Sequence, residues 1–234
     1  MFDFTKKFGF TFTRIKNVDP ELRMFAALVP FLEKSDLIVD IGANHGQFLE
    51  LVLKNYTGQV IAIEPEPEAF EFLSQKFAKF SNVQSLNLAL GSSNGSANLN
   101  VANNSSESSS ILDMGYHHKM GAPNIRMIEK CKVKLARFSD AIDISGFHQV
   151  FLKIDVQGFE LEVLKGISSE DLKRILAIKI ELNVVETYVG APLIETVMAF
   201  LRANGFSPLR IENGFGLPGF GQQLQMEALF IRSI

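Results

Sequence analysis

The run Leu37-Ile38-Val39-Asp40-Ile41-Gly42-Ala43-Asn44-His45-Gly46 constrains the fold of this chain more than any other segment. It reads as a buried strand with an acid near its end, followed by a glycine turn that opens a helix. Twenty-four residues after Asp40, a second strand, Gln59-Val60-Ile61-Ala62-Ile63-Glu64, ends in a carboxylate. In an open α/β sheet, ligands sit outside the carboxyl ends of the strands. Glycine lets the backbone approach a ligand there, and an acid can hold a ribose diol. Two such strands in succession point to a nucleoside-containing cofactor.

The glycine pattern narrows the choice. Dinucleotide sites use Gly-x-Gly-x-x-Gly, whereas this chain reads Asp-x-Gly-x-Asn-x-Gly, and no Lys-Ser or Lys-Thr pair follows to make a phosphate loop. An acid at the end of the first strand repels a pyrophosphate and attracts a cationic amino-acid group. S-adenosylmethionine has that chemistry, with an ammonium, a sulfonium and a ribose but no phosphate.

The 234 residues suffice for one α/β domain with a full core. No apolar run reaches the roughly 18 residues of a membrane span, and the start lacks the pattern of a signal peptide, so the expectation is a cytoplasmic enzyme with no integral membrane segment. Cys131 is the sole cysteine, which rules out an internal disulfide or a cysteine metal cluster. A net charge of -3 speaks against a nucleic-acid substrate.

Strands and helices alternate along most of the chain. Residues 37–41, 60–63 and 83–90 read as strands separated by helices over 47–54 and 67–80. Residues 97–101 and 130–135 read as extra strands and 138–142 as a helix, before a buried strand over 150–154 that leads into Asp155. A helical region starts near Leu161, followed by strand 175–182, helix 193–203, and last strands over 206–211 and 228–231. This alternation implies parallel pairing through right-handed crossovers, an α/β fold. Residues 102–124, rich in Asn, Ser, Gly and His, read as a long polar loop that buries little. Ahead of the sheet, Asp19 and Pro20 signal a helix start, and Leu22, Phe25, Ala26, Val29 and Leu32 form its apolar stripe. Phe2, Phe4, Phe8, Phe10 and Phe12 alternate with polar residues. Such an arm either folds back on the core or contacts a second copy, the substrate or a membrane surface.

Asp40-Ile41-Gly42-Ala43-Asn44-His45-Gly46, Glu64-Pro65, Lys153-Ile154-Asp155-Val156-Gln157-Gly158-Phe159-Glu160 and Glu227-Ala228-Leu229-Phe230-Ile231 occur in that order. This combination resembles the FkbM family of S-adenosylmethionine-dependent methyltransferases over residues 36–232, with Gln157 where the family commonly has Glu. The resemblance implies a single-domain class I methyltransferase fold, Rossmann-like, with a seven-stranded, mostly parallel sheet, an antiparallel last strand and helices on both faces. It also implies O-methylation of a hydroxyl on a sugar, glycan or secondary metabolite. Residues 1–35 then form an arm and packing helix, and 36–234 the methyltransferase domain.

For the cofactor, Asp40, Gly42, Ala43, Asn44 and Gly46 are assigned to the methionine end, Glu64 to the ribose hydroxyls, and Ala89 and Leu90 to the adenine. Methyl transfer to an alcohol needs a base, since a neutral hydroxyl is a poor nucleophile. Asp155 and Glu160 lead as the catalytic or substrate-binding pair, with Glu181 orienting the acceptor and His117 or its neighbour His118 as further base candidates. Lys153 can pair with an acid, and Ser108, Ser109 and Ser110 can touch the acceptor. Asp155, Glu181 and Asn183 are hard oxygen donors suited to magnesium, although their spacing departs from that of metal-dependent O-methyltransferases. The acceptor is a small molecule or glycan, and a homo-oligomer is left open. Two alternatives stand beside this reading: N-methylation of a small amine, and a non-catalytic module that binds cofactor or glycan.

Overall fold

The computed structural model describes residues 20–217, 219 and 221–233, so the Phe-rich arm and Asp19 lie outside the described residues. Helix α1 (Pro20–Leu32) buries Met24, Leu28 and Leu32, whereas Leu22 is 60% exposed. The buried stripe is therefore rotated from the one read in the sequence. A helix apolar on several sides carries more than one candidate stripe, and the sheet beneath selects among them.

The chain then runs through β1 (Leu37–Ile41), α2 (Gln47–Val52), β2 (Gln59–Ile63), α3 (Pro67–Phe77), β3 (Val83–Leu86), β4 (Ala89–Leu90) and β5 (Gly95–Ala102). Next come α4 (Tyr116–Gly121), β6 (Met127–Ala136), α5 (Phe138–Ala141), β7 (Val150–Ile154), α6 (Glu160–Lys165) and α7 (Ser169–Arg174). The last elements are β8 (Ile175–Asn183), α8 (Ile194–Ala203), β9 (Phe206–Asn213) and β10 (Gln225–Arg232). All five residues of β1 and of β7 are buried, as central parallel strands covered on both faces must be.

Seven strands pair in the order β3-β2-β1-β7-β8-β10-β9. Neighbours from β3 to β8 are parallel, and β10 is antiparallel to both β8 and β9. This is the α/β fold expected, antiparallel last strand included. Helices α1, α2 and α3 cover one face, packing Leu28, Leu49 and Leu73 against Ile38, Phe151 and Leu229. Helices α5, α6 and α8 cover the other, with Phe138, Leu164 and Leu201 against Val39, Leu152 and Ile180. Strand order reverses between β1 and β7, so the crevice above them is where ligands of such sheets bind.

Gly46 opens α2 at φ +80, and a Cβ there would lie 2.3 Å from the Phe77 ring of α3. Gly46→Ala is expected to cost about 2–3 kcal/mol through left-handed strain and overpacking. Thermal melting should then fall by about 5–10 °C. An unchanged melting temperature would mean that Phe77 swings aside at no cost.

Two further sequence expectations are corrected. The third strand ends at Leu86, where Asn87 Nδ2 turns the chain by donating to the carbonyls of Glu64 (2.9 Å) and Pro65 (3.1 Å). Ala89 and Leu90 leave for a separate sheet of order β4-β6-β5. The polar segment 102–124 is not merely solvated: it contains α4, buries Ser108, Ser110 and His118, and bridges to β5 through Ser110 and Asn100. Its serines satisfy backbone and side-chain partners, so burying them costs little.

Candidate functional site

A cavity of about 700 Å³ lies above the carboxyl ends of β1, β2, β7 and β8. Its wall has three kinds of surface. The loop Gly42-Ala43-Asn44 with Glu64, Pro65 and Leu90 forms one. Met24, Phe25 and Leu28 of α1, Phe48 of α2 and Phe215 form an apolar second. The third is charged, with Lys153, Asp155, Lys179, Glu181, Glu212 and Glu227.

The glycine loop is built by close approach. At φ +77, Gly42 has the β7 turn against it, and a Cβ there would fall 1.9 Å from the Asp155 carbonyl oxygen. The Gly42 and Ala43 amides donate to the Ile63 carbonyl (3.0 and 2.9 Å), tying β1 to β2. Asn44, at φ 47, donates its backbone N–H to Glu64 Oε2 (2.7 Å), and the Glu66 N–H donates to Glu64 Oε1 (2.9 Å). Each carboxylate oxygen is thus fixed by one amide and keeps a free lone pair. Burial pushes the Glu64 pKa up to about 7, against those amides and Lys153.

The charged surface follows from strand register. Asp40, Lys153 and Lys179 sit side by side on β1, β7 and β8, while Glu181, Glu227 and Glu212 do so on β8, β10 and β9. Lys153 Nζ donates to the Gly42 carbonyl (2.7 Å) and lies 3.2 Å from Asp40 and 3.6 Å from Asp155. Burial pulls the Lys153 pKa down, but the charges of Asp40 and Asp155 overcome it and hold it above the ordinary lysine value. Lys179 pairs with Glu227, and Glu212 with Arg23 (2.9 Å) and Arg210 (2.7 Å).

Gln157 stands between the two remaining carboxylates. Its Nε2 donates to Asp155 Oδ1 (2.8 Å) and Glu181 Oε2 (3.2 Å), and its Oε1 lies 2.8 Å from the Tyr188 hydroxyl. Gln225 also donates to Glu181 Oε2 (2.6 Å). Burial raises the proton affinity of both acids, yet they diverge. Lys153 and Lys179 bring Asp155 below the usual carboxylate range, while the charges of Asp155 and Glu227 drive Glu181 well above it.

Of the residues singled out in the sequence, Gly42, Ala43, Asn44, Glu64, Leu90, Asp155 and Glu181 meet in this cavity. Six others do not line it. Asp40 is fully buried behind Lys153. Gly46 faces Phe77, and Ala89 is absorbed into the small apolar cluster of the second sheet. Glu160 spends Oε1 on the backbone N–H groups of Val156 (3.2 Å) and Gly158 (3.0 Å), locking the turn after β7. His117 lies outside, with Nδ1 3.1 Å from the Glu186 carbonyl oxygen. Asn183 Oδ1 is taken up by Thr187 and Gln225, so Asp155, Glu181 and Asn183 do not assemble as a ligand set. Among the described residues no His/Cys/Asp/Glu group has metal-binding geometry. Of the serines, Ser109 lines the cavity, and Ser110 donates to the Gln157 carbonyl (2.7 Å).

Sequence reasoning missed Gln157 and Tyr188. The signal for Gln157 was its place in the turn between Asp155 and Gly158. Nothing in the sequence marked Tyr188.

The methyltransferase sdnD of Sordaria araneosa is 28% identical to this chain over 204 aligned residues, covering 76% of each protein. Among solved structures, an rRNA methylase from Streptococcus thermophilus is similar with a TM-score of 0.51 and 10% identity, covering 93% of this chain and 99% of that one. At that identity the likeness concerns the fold alone. The FkbM methyltransferase domain matches residues 40–208, from the acid on β1 through the glycine loop and the Asp155 turn into β9, and this chain belongs to that family of methyltransferases.

Proposed function

We propose that this protein is an S-adenosylmethionine-dependent O-methyltransferase whose acceptor is a hydroxyl of a sugar, glycan or secondary metabolite. The donor set of the cavity fits the cofactor. Glu64 keeps lone pairs for a ribose diol, the loop Gly42-Ala43-Asn44 offers a close backbone surface, and Leu90 an apolar one for the adenine. Carboxylates outnumber cations in the cavity wall six to two, which suits a sulfonium and disfavours a pyrophosphate. Once bound, the cofactor supplies a methyl group activated by its sulfonium.

The observation that carries the O-methyl reading is the presence of two carboxyl groups, Asp155 and Glu181, in one cavity, with a lysine, Lys153, beside Asp155 alone of the two. Neighbouring carboxyl groups driven apart in proton affinity are suited to different roles. Asp155, steadied by Lys153, stays ionised and positions the acceptor. Glu181, whose proton affinity is raised, is the stronger base and receives the hydroxyl proton. A free amine is nucleophilic without such a base, whereas a hydroxyl is not, so this pair favours O- over N-methylation. The same excess of carboxylates disfavours phosphorylated acceptors, and the apolar wall of α1, α2 and Phe215 suits a glycoside or polyol with an apolar portion.

Calorimetric titration with S-adenosylmethionine, with NAD as control, tests the cofactor. Saturable binding of the former alone is expected. Glu64→Gln should weaken it about 10- to 100-fold, the worth of hydrogen bonds to a charged acceptor. No binding to folded protein would overturn the proposal and bring forward a non-catalytic module.

A further inference from the structure

Gln157 has no role in the chemistry described above, yet its backbone is held where side chains rarely go. It has φ 55 and is followed by Gly158 at φ 98. A non-glycine residue in the left-handed region is strained, and such strain gathers at functional sites. Three fixed contacts accompany it. The two N–H groups of one amide meet one oxygen each from Asp155 and Glu181, while Oε1 faces a hydroxyl donor on Tyr188. That hydroxyl is fully buried and also lies 3.1 Å from the Ser108 carbonyl oxygen. The amide therefore has one satisfied orientation, since rotating it by half a turn would set its oxygen against two carboxylates.

We propose that Gln157 is a positioning residue: its carboxamide, anchored by Tyr188, bridges Asp155 and Glu181 and holds the two acids in place, each meeting one of its N–H groups, in one cavity. A neutral double donor suits this spot in this chain, which departs here from the Glu common in the family. A Glu in its place would add a third carboxylate, and an apolar residue would leave two acids facing each other without the donor between them. The charged groups around the pair are otherwise Lys153 of β7, Lys179 of β8, Glu227 of β10 and Glu160 of α6. Neither lysine is within 4 Å of Glu181, so donors from Gln157 and Gln225 are what meets that carboxylate directly.

The inference rests on reading Asp155 and Glu181 as the proton-handling pair, but its test needs neither cofactor nor acceptor. Side-chain carboxyl groups of the whole protein are labelled with carbon-13 and titrated by NMR, with Asp155→Asn and Glu181→Gln assigning the two signals. Gln157→Gly removes the amide while placing at φ 55 the residue best suited to it, so the fold should hold or gain slightly. Both carboxyl groups should then titrate at higher pH, Asp155, which accepts the shorter bond (2.8 against 3.2 Å), by about 1 pH unit or more and Glu181, which keeps Gln225, by less. Tyr188→Phe, which releases the anchor alone, should move them less and in the same direction. Unchanged titrations in folded Gln157→Gly would overturn the proposal and leave Gln157 a turn residue. Failure to bind S-adenosylmethionine would instead remove the cofactor reading and leave this result standing.

Discussion

Lys153→Met is expected to lower the stability of the protein by about 3–5 kcal/mol, the usual loss when one member of a buried ion pair is removed. The ammonium has three N–H groups and three acceptors around it: the Gly42 carbonyl, Asp40 and Asp155. Asp155 can turn to solvent, its side chain being 30% exposed, but Asp40 is wholly enclosed and neither of its oxygens accepts a hydrogen bond of good geometry. Without Lys153 that carboxylate is a charge in an apolar layer, and it takes up a proton instead. Burial already raises the Asp40 pKa against the pull of Lys153. The sign of the pH effect follows. A carboxyl whose folded-state pKa exceeds its unfolded value of about 3.9 destabilises increasingly as pH rises above that value, until it ionises in the folded state too. Urea unfolding of the variant should therefore show its smallest deficit near pH 4 and a larger one at pH 7. Replacing both partners, as Asp40→Leu with Lys153→Met, should recover most of the loss. A deficit that is the same at both pH values would mean that packing, not charge, is what Lys153 supplies.

Glu181→Gln should reduce methyl transfer by about 100- to 10,000-fold, the range over which a positioned general base accelerates proton removal. S-adenosylmethionine affinity should change by less than about threefold, because the variant keeps its shape and Glu64 is untouched. In the unaltered enzyme the rate should climb with pH as Glu181 loses its proton. Because burial and the Asp155 charge raise its pKa well above the ordinary carboxylate value, that climb should fall on the high side of the usual acid range. Steady-state rates across pH with product quantified by mass spectrometry would decide it. A variant within a few-fold of full activity would reduce Glu181 to an orienting group.

Much of this was legible in the chain. The strands at 37–41 and 150–154 announce themselves because central parallel strands are apolar on both faces, and the order Asp40, Gly42, Glu64, Asp155 fixes which strand ends meet. What periodicity cannot carry is the direction of a side chain at a strand end. Asp40 and Glu64 both read as acids that touch the cofactor, yet Asp40 lies enclosed behind Lys153, while Glu64 follows its strand and turns into the cavity. Glu160 looks catalytic because it stands at the start of the helix that follows the Asp155 turn, and only the turn geometry reveals that its oxygen is spent on backbone amides. Gln157 was read as a departure from a motif, since its meaning depends on Tyr188 and Glu181, both remote in sequence. The single strand read over 83–90 concealed a change of sheet, because pairing partners are not written in composition.

That change of sheet has a consequence for where the chain tolerates substitution. The excursion from β3 to β7 has its own apolar nucleus of Ala89, Leu99, Val101 and Val133, apart from the two cores of the main sheet. It nonetheless contributes Leu99, Ser106, Glu107, Ser109 and Ile111 to the cavity. A unit with its own nucleus absorbs substitutions locally, at little cost to the scaffold it leans on. Substitutions in this wall can therefore reshape one side of the cavity while the cradle of Gly42 and Glu64 keeps its geometry.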